Sequence, residues 1–419
     1  MSVTALYNEE YLDKYVRLTV RTGLNVRPGQ KVVISSPVDC AFFARRAVRE
    51  AYAAGASNVF VRWLDDECSR LKYLMAADDV FDEFPAWESL MLNSLAREGA
   101  AFMSVSASDP ELLRGVDPSR PSRFRKVSSA ALREYYDLAM DNSVQWSVVS
   151  IPTAAWAKKV FPEAAGGDEA VSLLWNKIFD ACRIDGGDPV ENWAAHCRAL
   201  KTRVGRLNLA QYTELHITNA AGTDLRLKMP KNHVWSGGGD ISRAGTPFLP
   251  NIPTEEVFTA PRLDGADGRV VSSRPTVYDG DIIDGFSITF ENGRAVSCSA
   301  EKNQALLEKL IHDLPGMDRL GEVALVPHSS PISNTGILFY NTLYDENASC
   351  HLALGRAYPD CVKGGEDMTR EQQAAAGLNY SDGHHDFMFG TDDLSVVGIT
   401  PDGGREVVFE KGNFAAVWE

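Results

Sequence analysis

Apolar and polar positions follow a recurring order over the first part of the chain. Residues 8–25 (NEEYLDKYVRLTVRTGLN) carry Leu12, Tyr15, Val16 and Val20 at helical spacing and predict a helix. After the Pro28-Gly29 turn, the apolar run KVVISSP predicts a strand. Asp39 is placed to cap a helix over CAFFARRAVREAYAAGA, with Ala41, Ala44, Val48, Ala51 and Tyr52 as its inward stripe and Gly55 as its stop. NVFVRWL predicts the next strand. Strand, helix and strand in this order form a βαβ unit and hence a parallel sheet. The alternation continues through a helix over FPAWESLMLNSLAREGA, a strand at AFMSVSASD, one long helix over SRFRKVSSAALREYYDLAMDNS, a strand at SVVSIP and a helix over EAVSLLWNKIFDACRI.

Residues 183–191 (RIDGGDPVE) are turn-rich and suit a junction, followed by a helix over NWAAHCRALKTRVGRLNLA. From about residue 211 the pattern becomes strand-like: TELHITNAAGTDLRLKMP reads as two strands around Ala221-Gly222. Further strands are expected at 269–273, 282–290 and 294–300, the last two joined by the Asn292-Gly293 hairpin signal. KNQALLEKLIHDL is an amphipathic helix. The expected fold class is an α/β N-terminal domain (1–188, Rossmann-like, with a mainly parallel sheet) and a strand-rich α+β C-terminal catalytic domain (189–419). Two domains also suit 419 residues, more than one ordinary core organises.

The formal net charge is −15, which disfavours nucleic acid and anionic membranes as partners because both need a basic surface. No apolar run is long enough to span a bilayer, and MSVTALYNEEYLDKY lacks the basic and apolar regions of a secretory signal. Seven cysteines without a CxxC pair suggest free thiols in a reduced, cytoplasmic protein. The turns of the first half lack GxGxxG and GxxxxGK[ST], so no nucleotide site is indicated there. The cluster Asp65-Asp66-Glu67 reads as surface, and His196 as a structural histidine.

The chemistry concentrates in the second half, in TEEVFTAP (254–261), GEVALVPHSSPISNTGILFYNTLYDENASCHLALGRAY (321–358) and HHDFMFG (384–390). Each piece alone is weak: a Glu-Glu pair is usually surface, and His-x-Asp often serves a structural hydrogen bond. Together Glu256, Glu322, Glu346, His351, His384 and Asp386 supply more carboxylates than one structural zinc needs, and suit two cations roughly 3.5–4 Å apart. Without cations four confined acids would repel one another. Ser236-Gly237-Gly238-Gly239 reads as a flexible loop before an anion cradle, His328-Ser329-Ser330 as a loop without a nucleophile elbow, and Cys350 as a small buried residue before a ligand.

NIPTEEVFTAP, GEVALV followed by LYDENASCHLALGRAY, and HHDFM resemble the aminopeptidase T/aminopeptidase S family of dinuclear metallo-aminopeptidases. The resemblance runs the length of the chain and is sharpest over 250–400. It implies broad-specificity removal of N-terminal amino acids from peptides, two divalent ions (zinc, cobalt or magnesium) and a homodimer. Carried over by motif, it assigns metal binding to Glu256, Glu322 (as the bridge), Glu346, His351, His384 and Asp386. It also places Tyr358 to donate its hydroxyl to a tetrahedral oxyanion or to sit beside a metal. His385 competes with His384, and Glu255 with Glu256; Glu255 is otherwise a candidate proton shuttle. Two rival readings stand beside this one: a mononuclear iron ring-cleaving dioxygenase or other metal enzyme on a related scaffold, and a non-enzymatic metal-stabilised binding protein.

Overall fold

The structure is a computed structural model and describes residues 6–107, 109–278 and 281–418. Two compact units are present, Met1–Ala195 with Gly239–Pro253, and His196–Gly238 with Thr254–Glu419.

In the first unit α1 (Glu9–Leu18) is capped by Asn8, whose side chain accepts the N–H groups of Glu10 and Tyr11. A π-helical turn, Thr19–Leu24, extends it. There follow β1 (Lys31–Pro37), α2 (Ala41–Ala53), β2 (Asn58–Leu64), α3 (Asp66–Met75), α4 (Ala86–Arg97), β3 (Ala101–Ser106), α5 (Ser119–Ala131), α6 (Arg133–Met140), β4 (Trp146–Ser150), α7 (Ala154–Val160) and α8 (Gly167–Ala181). All pairings are parallel, in the order β2-β1-β3-β4. The expected α/β architecture is therefore present, with the central β1 buried and β2 at an edge.

Several local expectations are corrected. Asp39 does not cap α2: it lies in the 3-10 turn Val38–Cys40, and the cap position, Cys40, makes no side-chain bond. The inward face of α2 is Phe43, Ala44, Ala47 and Ala51, whereas Tyr52 is 48% exposed. Burying Phe43 removes more apolar area from water than burying Ala41, and this turns the helix. Asp65 does more than lie on the surface, since it caps α3 by accepting the Cys68 N–H. That helix buries no residue, so no apolar stripe announced it. The single long helix is two, α5 and α6, broken at Leu132 (φ −100°, ψ 13°). Asn93 enters the break, donating to Ala131 O and accepting the Tyr135 N–H. A side chain inserted into the helical ladder is a common cause of such a kink.

The unit boundary falls inside α9 (Pro189–Ala210). The second unit continues with β5 (Glu214–Thr218), β6 (Asp224–Lys228) and β7 (Ser236–Gly237); β8 (Asp240–Ile241) and β9 (Pro247–Phe248) form a ribbon belonging to the first unit. Then come β10 (Val257–Thr259), β11 (Ala266–Val271), β12 (Thr276–Tyr278), β13 (Asp281–Glu291), β14 (Arg294–Lys302), α10 (Gln304–His312), β15 (Leu320–Leu325), α11 (Thr342–Asp345), β16 (His351–Gly355), α12 (Arg370–Ala376), β17 (His384–Met388), β18 (Ser395–Ile399), β19 (Arg405–Glu410) and β20 (Asn413–Phe414). The β13–β14 hairpin turns at Asn292 (φ 49°) and Gly293 (φ 79°), as its sequence predicts.

These strands form two sheets. One runs β12-β13-β11-β6-β5-β18-β19-β20, with β14 also on β13. The other, β17-β16-β15-β10-β7, is antiparallel throughout. A continuous core holds them, including Leu215, Ile217, Trp235, Val323, Leu352 and Phe387. Ser236-Gly237 is part of this second sheet rather than a loose loop.

Candidate metal centre

Three neighbouring strands set out the floor of the site. Glu322 on β15 lies opposite Ala353 on β16, and Ala353 lies opposite Asp386 on β17. Residues directly opposite share a face, and residues two apart on a strand share it too. His351, Ala353 and Gly355 therefore line one face of β16, and His384 stands opposite Gly355. Ala353 puts only a methyl group between Glu322 and Asp386, and Gly355 admits the close approach of the Gly383 backbone, whose carbonyl oxygen would stand 2.2 Å from an added Cβ. Glu256 precedes β10, and Glu346 lies in the turn between α11 and β16. Gly237 (φ 149°) packs against the Glu256 backbone, where an added Cβ would stand 2.6 Å from the Glu256 carbonyl oxygen.

Five of the six meet in two overlapping groups, Glu256/Glu322/His351 and Glu322/His384/Asp386, with one donor atom of each residue within 4.8 Å of the others, whereas Glu346 falls in neither and accepts a hydrogen bond from Asn347 Nδ2 at 3.4 Å. Glu322 belongs to both. Its Oε1 is 3.5 Å from His351 Nε2, and its Oε2 is 3.5 Å from His384 Nε2. His351 Nε2 also lies 3.2 Å from Glu256 Oε2, and His384 Nε2 lies 3.3 Å from Asp386 Oδ1. The other ring nitrogens are committed, Nδ1 of His351 to Ser349 O and Nδ1 of His384 to Arg356 O. Carbonyl acceptors fix Nδ1 as the protonated nitrogen of a neutral ring and leave Nε2 as the donor atom for a cation.

The electrostatics fit a cation. Burial, then repulsion from Asp386 and Glu256, pushes Glu346 well above the usual carboxylate range. Burial also raises Glu322, against the pull of His351 and His384. Burial would lower His384, but Asp386 and Glu322 outweigh it and carry the imidazole up to about 10. His351 is raised likewise, burial being outweighed by its contacts with Glu256 and Glu322. For Asp386 burial acts upward, but His384 prevails and holds it low. In cation-free form the cluster thus keeps its acids close only by retaining protons. Divalent ions on these oxygen and nitrogen donors would replace those protons.

The remaining candidates sort clearly. His385 faces away, with Nε2 3.0 Å from Thr276 Oγ1 and its ring edge-on to Tyr278. Glu255 is in neither donor group; its buried carboxylate lies 3.7 Å from His196 Nε2 on α9. His196 Nε2 also bonds Thr254 O at 2.8 Å, in keeping with a structural histidine. The Tyr358 ring lies 5.4 Å from that of His384, and its hydroxyl is held well above its usual pKa by burial and then by the acids of the cluster. Cys350 Sγ serves the Val326 backbone, and Ser329 Oγ donates to Asn413 Oδ1. Sequence reasoning passed over Asp345 and Asn347, which flank Glu346. Asp345 accepts the N–H groups of Phe339 and Asn341, and Asn347 is completely buried. The only signal was their polarity within YDENASCH.

The family model "Thermophilic metalloprotease (M29)" matches residues 8–414. The chain belongs to this metalloprotease family. Its members are peptide hydrolases, and family membership brings use of a divalent metal. Aminopeptidase AmpS of Bacillus subtilis (strain 168) is 47% identical over 404 residues, covering 96% of this chain and 98% of its own. The solved structure of wild-type AmpT from Thermus thermophilus superimposes with a TM-score of 0.91 at 36% identity, covering 97% of this chain and 100% of its own. The 2,5-dihydroxypyridine dioxygenase of Pseudomonas putida KT2440 shares the fold, at a TM-score of 0.54 and 12% identity, over 97% of this chain and 96% of its own. That likeness concerns architecture alone, and with metalloprotease membership the oxygenase and non-enzymatic readings fall away. Among the described residues no helix is long and apolar enough to cross a membrane, and no disulfide joins any two cysteines.

Proposed function

We propose that the protein is a metal-dependent aminopeptidase of broad specificity. Glu256, Glu322, Glu346, His351, His384 and Asp386 would hold two divalent cations, Glu322 being the residue common to both donor groups. The observation that carries this reading is Glu322, whose two oxygens each face a different histidine–acid pair. Two imidazoles among the donors favour zinc or cobalt over magnesium. The chemistry supplied by bound ions there would be polarisation of a scissile carbonyl and a lowered pKa for a water.

The chain's own groups do the rest. A free α-amine in its neutral form would be the substrate group those ions select, which an N-acetylated peptide lacks. Tyr358, kept neutral, donates its hydroxyl proton in a hydrogen bond to the developing oxyanion. Glu255, buried beside the cluster and near His196, carries a proton to the leaving amine. The family resemblance supports a homodimer, which light scattering would check. The free thiols suit the reducing cytoplasm.

A panel of free-amine and N-acetylated peptides tests the reaction class, assayed after chelation and after return of zinc or cobalt. Cleavage restricted to free amines and dependent on the added ion is expected. Equal cleavage of acetylated peptides would end the aminopeptidase reading.

A further inference from the structure

Glu256 and Glu346 approach the cluster from segments that share no strand pairing. Glu256 ends the irregular stretch before β10, and Glu346 sits on a short turn after α11. A ligand pair carried on such segments needs its spacing fixed by something other than a β-ladder. The side chain of Asn347 supplies the link. It is wholly buried. Its Oδ1 accepts the Glu255 N–H at 2.7 Å, across 92 residues of sequence. Its Nδ2 donates to Leu343 O at 3.0 Å, closing the α11 turn, and lies 3.4 Å from Glu346 Oε1. One amide group therefore grips the backbone beside Glu256, the turn that carries Glu346, and the Glu346 carboxylate itself.

We propose that Asn347 is a positioning residue whose side-chain amide sets the separation between the Glu256 and Glu346 carboxylates. A buried amide satisfied on both ends is rigid, because swinging it away strands a donor and an acceptor in the interior. Its geometry is passed to both acids through one residue of backbone on the Glu256 side and through the adjoining residue on the Glu346 side. The inference rests on the reading that these two acids hold cations.

The test compares Asn347→Ser with Asn93→Ser, both in the full chain. Asn93 also holds two backbone groups by its amide, but in the first unit, at the break between α5 and α6. Metal-free protein is titrated with cobalt(II), followed by visible absorption, and melted in parallel; kcat and KM are then measured on the loaded enzymes. For N347S, cobalt affinity should fall about 10–100-fold, the usual cost of losing a group that orients a metal ligand. Its kcat should fall more than its KM changes. N93S should melt earlier with cobalt affinity unchanged. If N347S behaves as N93S does, the proposal is overturned. Should N347S not fold, Asn347→Gln carries the same comparison: it keeps donor and acceptor but moves them outward by one methylene. Weakened cobalt binding in N347Q supports a spacing role, whereas parental affinity refutes it. Glu346→Gln separates the two levels. Unchanged cobalt binding in E346Q overturns the ligand reading, while weak binding there with parental binding in the Asn347 variants overturns the positioning role alone.

Discussion

At the scale of single residues, the site divides into groups that would hold cations and groups that act beside them. Tyr358 belongs to the second kind, since its ring packs on Phe258 and His384 while its hydroxyl is kept protonated. Tyr358→Phe keeps the ring and removes only the donor. We expect kcat to fall about 10²–10³-fold, as for loss of one oxyanion donor. KM and metal content should stay near the parental values, and loss of metal from Y358F would instead mark Tyr358 as a ligand. A second residue gives a pH test of stability. His233 is buried, its Nδ1–H donates to Pro230 O, and its Nε2 has no partner among the described residues. Burial depresses its pKa, against the smaller upward pull of that carbonyl. The unfolded chain therefore binds the proton more readily, so stability is fully present above about pH 6.5 and is lost on acidification, by at most about 1.4 kcal/mol per pH unit. His233→Phe removes this titration along with one hydrogen bond worth about 1 kcal/mol. Denaturant unfolding of the metal-free pair should find H233F weaker at pH 8 and the gap narrowed at pH 5. An unchanged gap would show that His233 is not titrating between those pH values. The residue types of the cluster were legible in the sequence because His-x-Asp spacing and acids at strand heads follow from period-two geometry. Asn347 and Asp345 were not, because a buried polar residue and a solvated one look alike until burial is known.

At the scale of elements, the cluster depends on what is missing from β16 as much as on what it carries. Ala353 lies between Glu322 and Asp386, and Gly355 lies opposite His384. Neighbouring strands stand about 4.8 Å apart, so two acids flanking a central strand are roughly 10 Å apart at the backbone and must reach inward over it. Ala353→Leu would fill that space. We expect A353L to lose most of its metal affinity while retaining its sheet, since leucine is well tolerated in a strand; cobalt titration with far-UV circular dichroism reads both quantities. Parental affinity in A353L would mean that the acids do not converge over Ala353. Strands were the most legible features: KVVISSP coincides with β1, a buried parallel strand and hence an apolar run, and NVFVRWL coincides with β2, an edge strand without a buried residue that its β-branched and aromatic side chains still mark. Helices were read less well where tertiary contacts override periodicity. The stripe of α2 is turned by Phe43, the predicted long helix is broken by the Asn93 side chain, and α3 carries no inward face to detect.

At the scale of the whole molecule, the second unit has a large apolar core that does not depend on the cluster, reaching through both of its sheets. The acids and imidazoles line one face of β15–β17 and are not part of that apolar core. Chelation should therefore abolish peptide cleavage while leaving the secondary structure intact. The fold should nevertheless be less stable without metal, because the cation-free cluster must keep protons on buried groups to hold its acids together. An ion that binds only the folded state adds RT ln(1 + [L]/Kd), about 2.7 kcal/mol at a hundredfold excess over Kd. Thermal melts with increasing zinc or cobalt should show Tm rising with the logarithm of free metal, and Glu322→Gln should flatten that rise. A chain that unfolded on chelation would place the cations among the elements that build the core. A Tm independent of metal, in a protein whose cleavage still required it, would mean that the ion binds somewhere other than the face shared by Glu322, His351, His384 and Asp386.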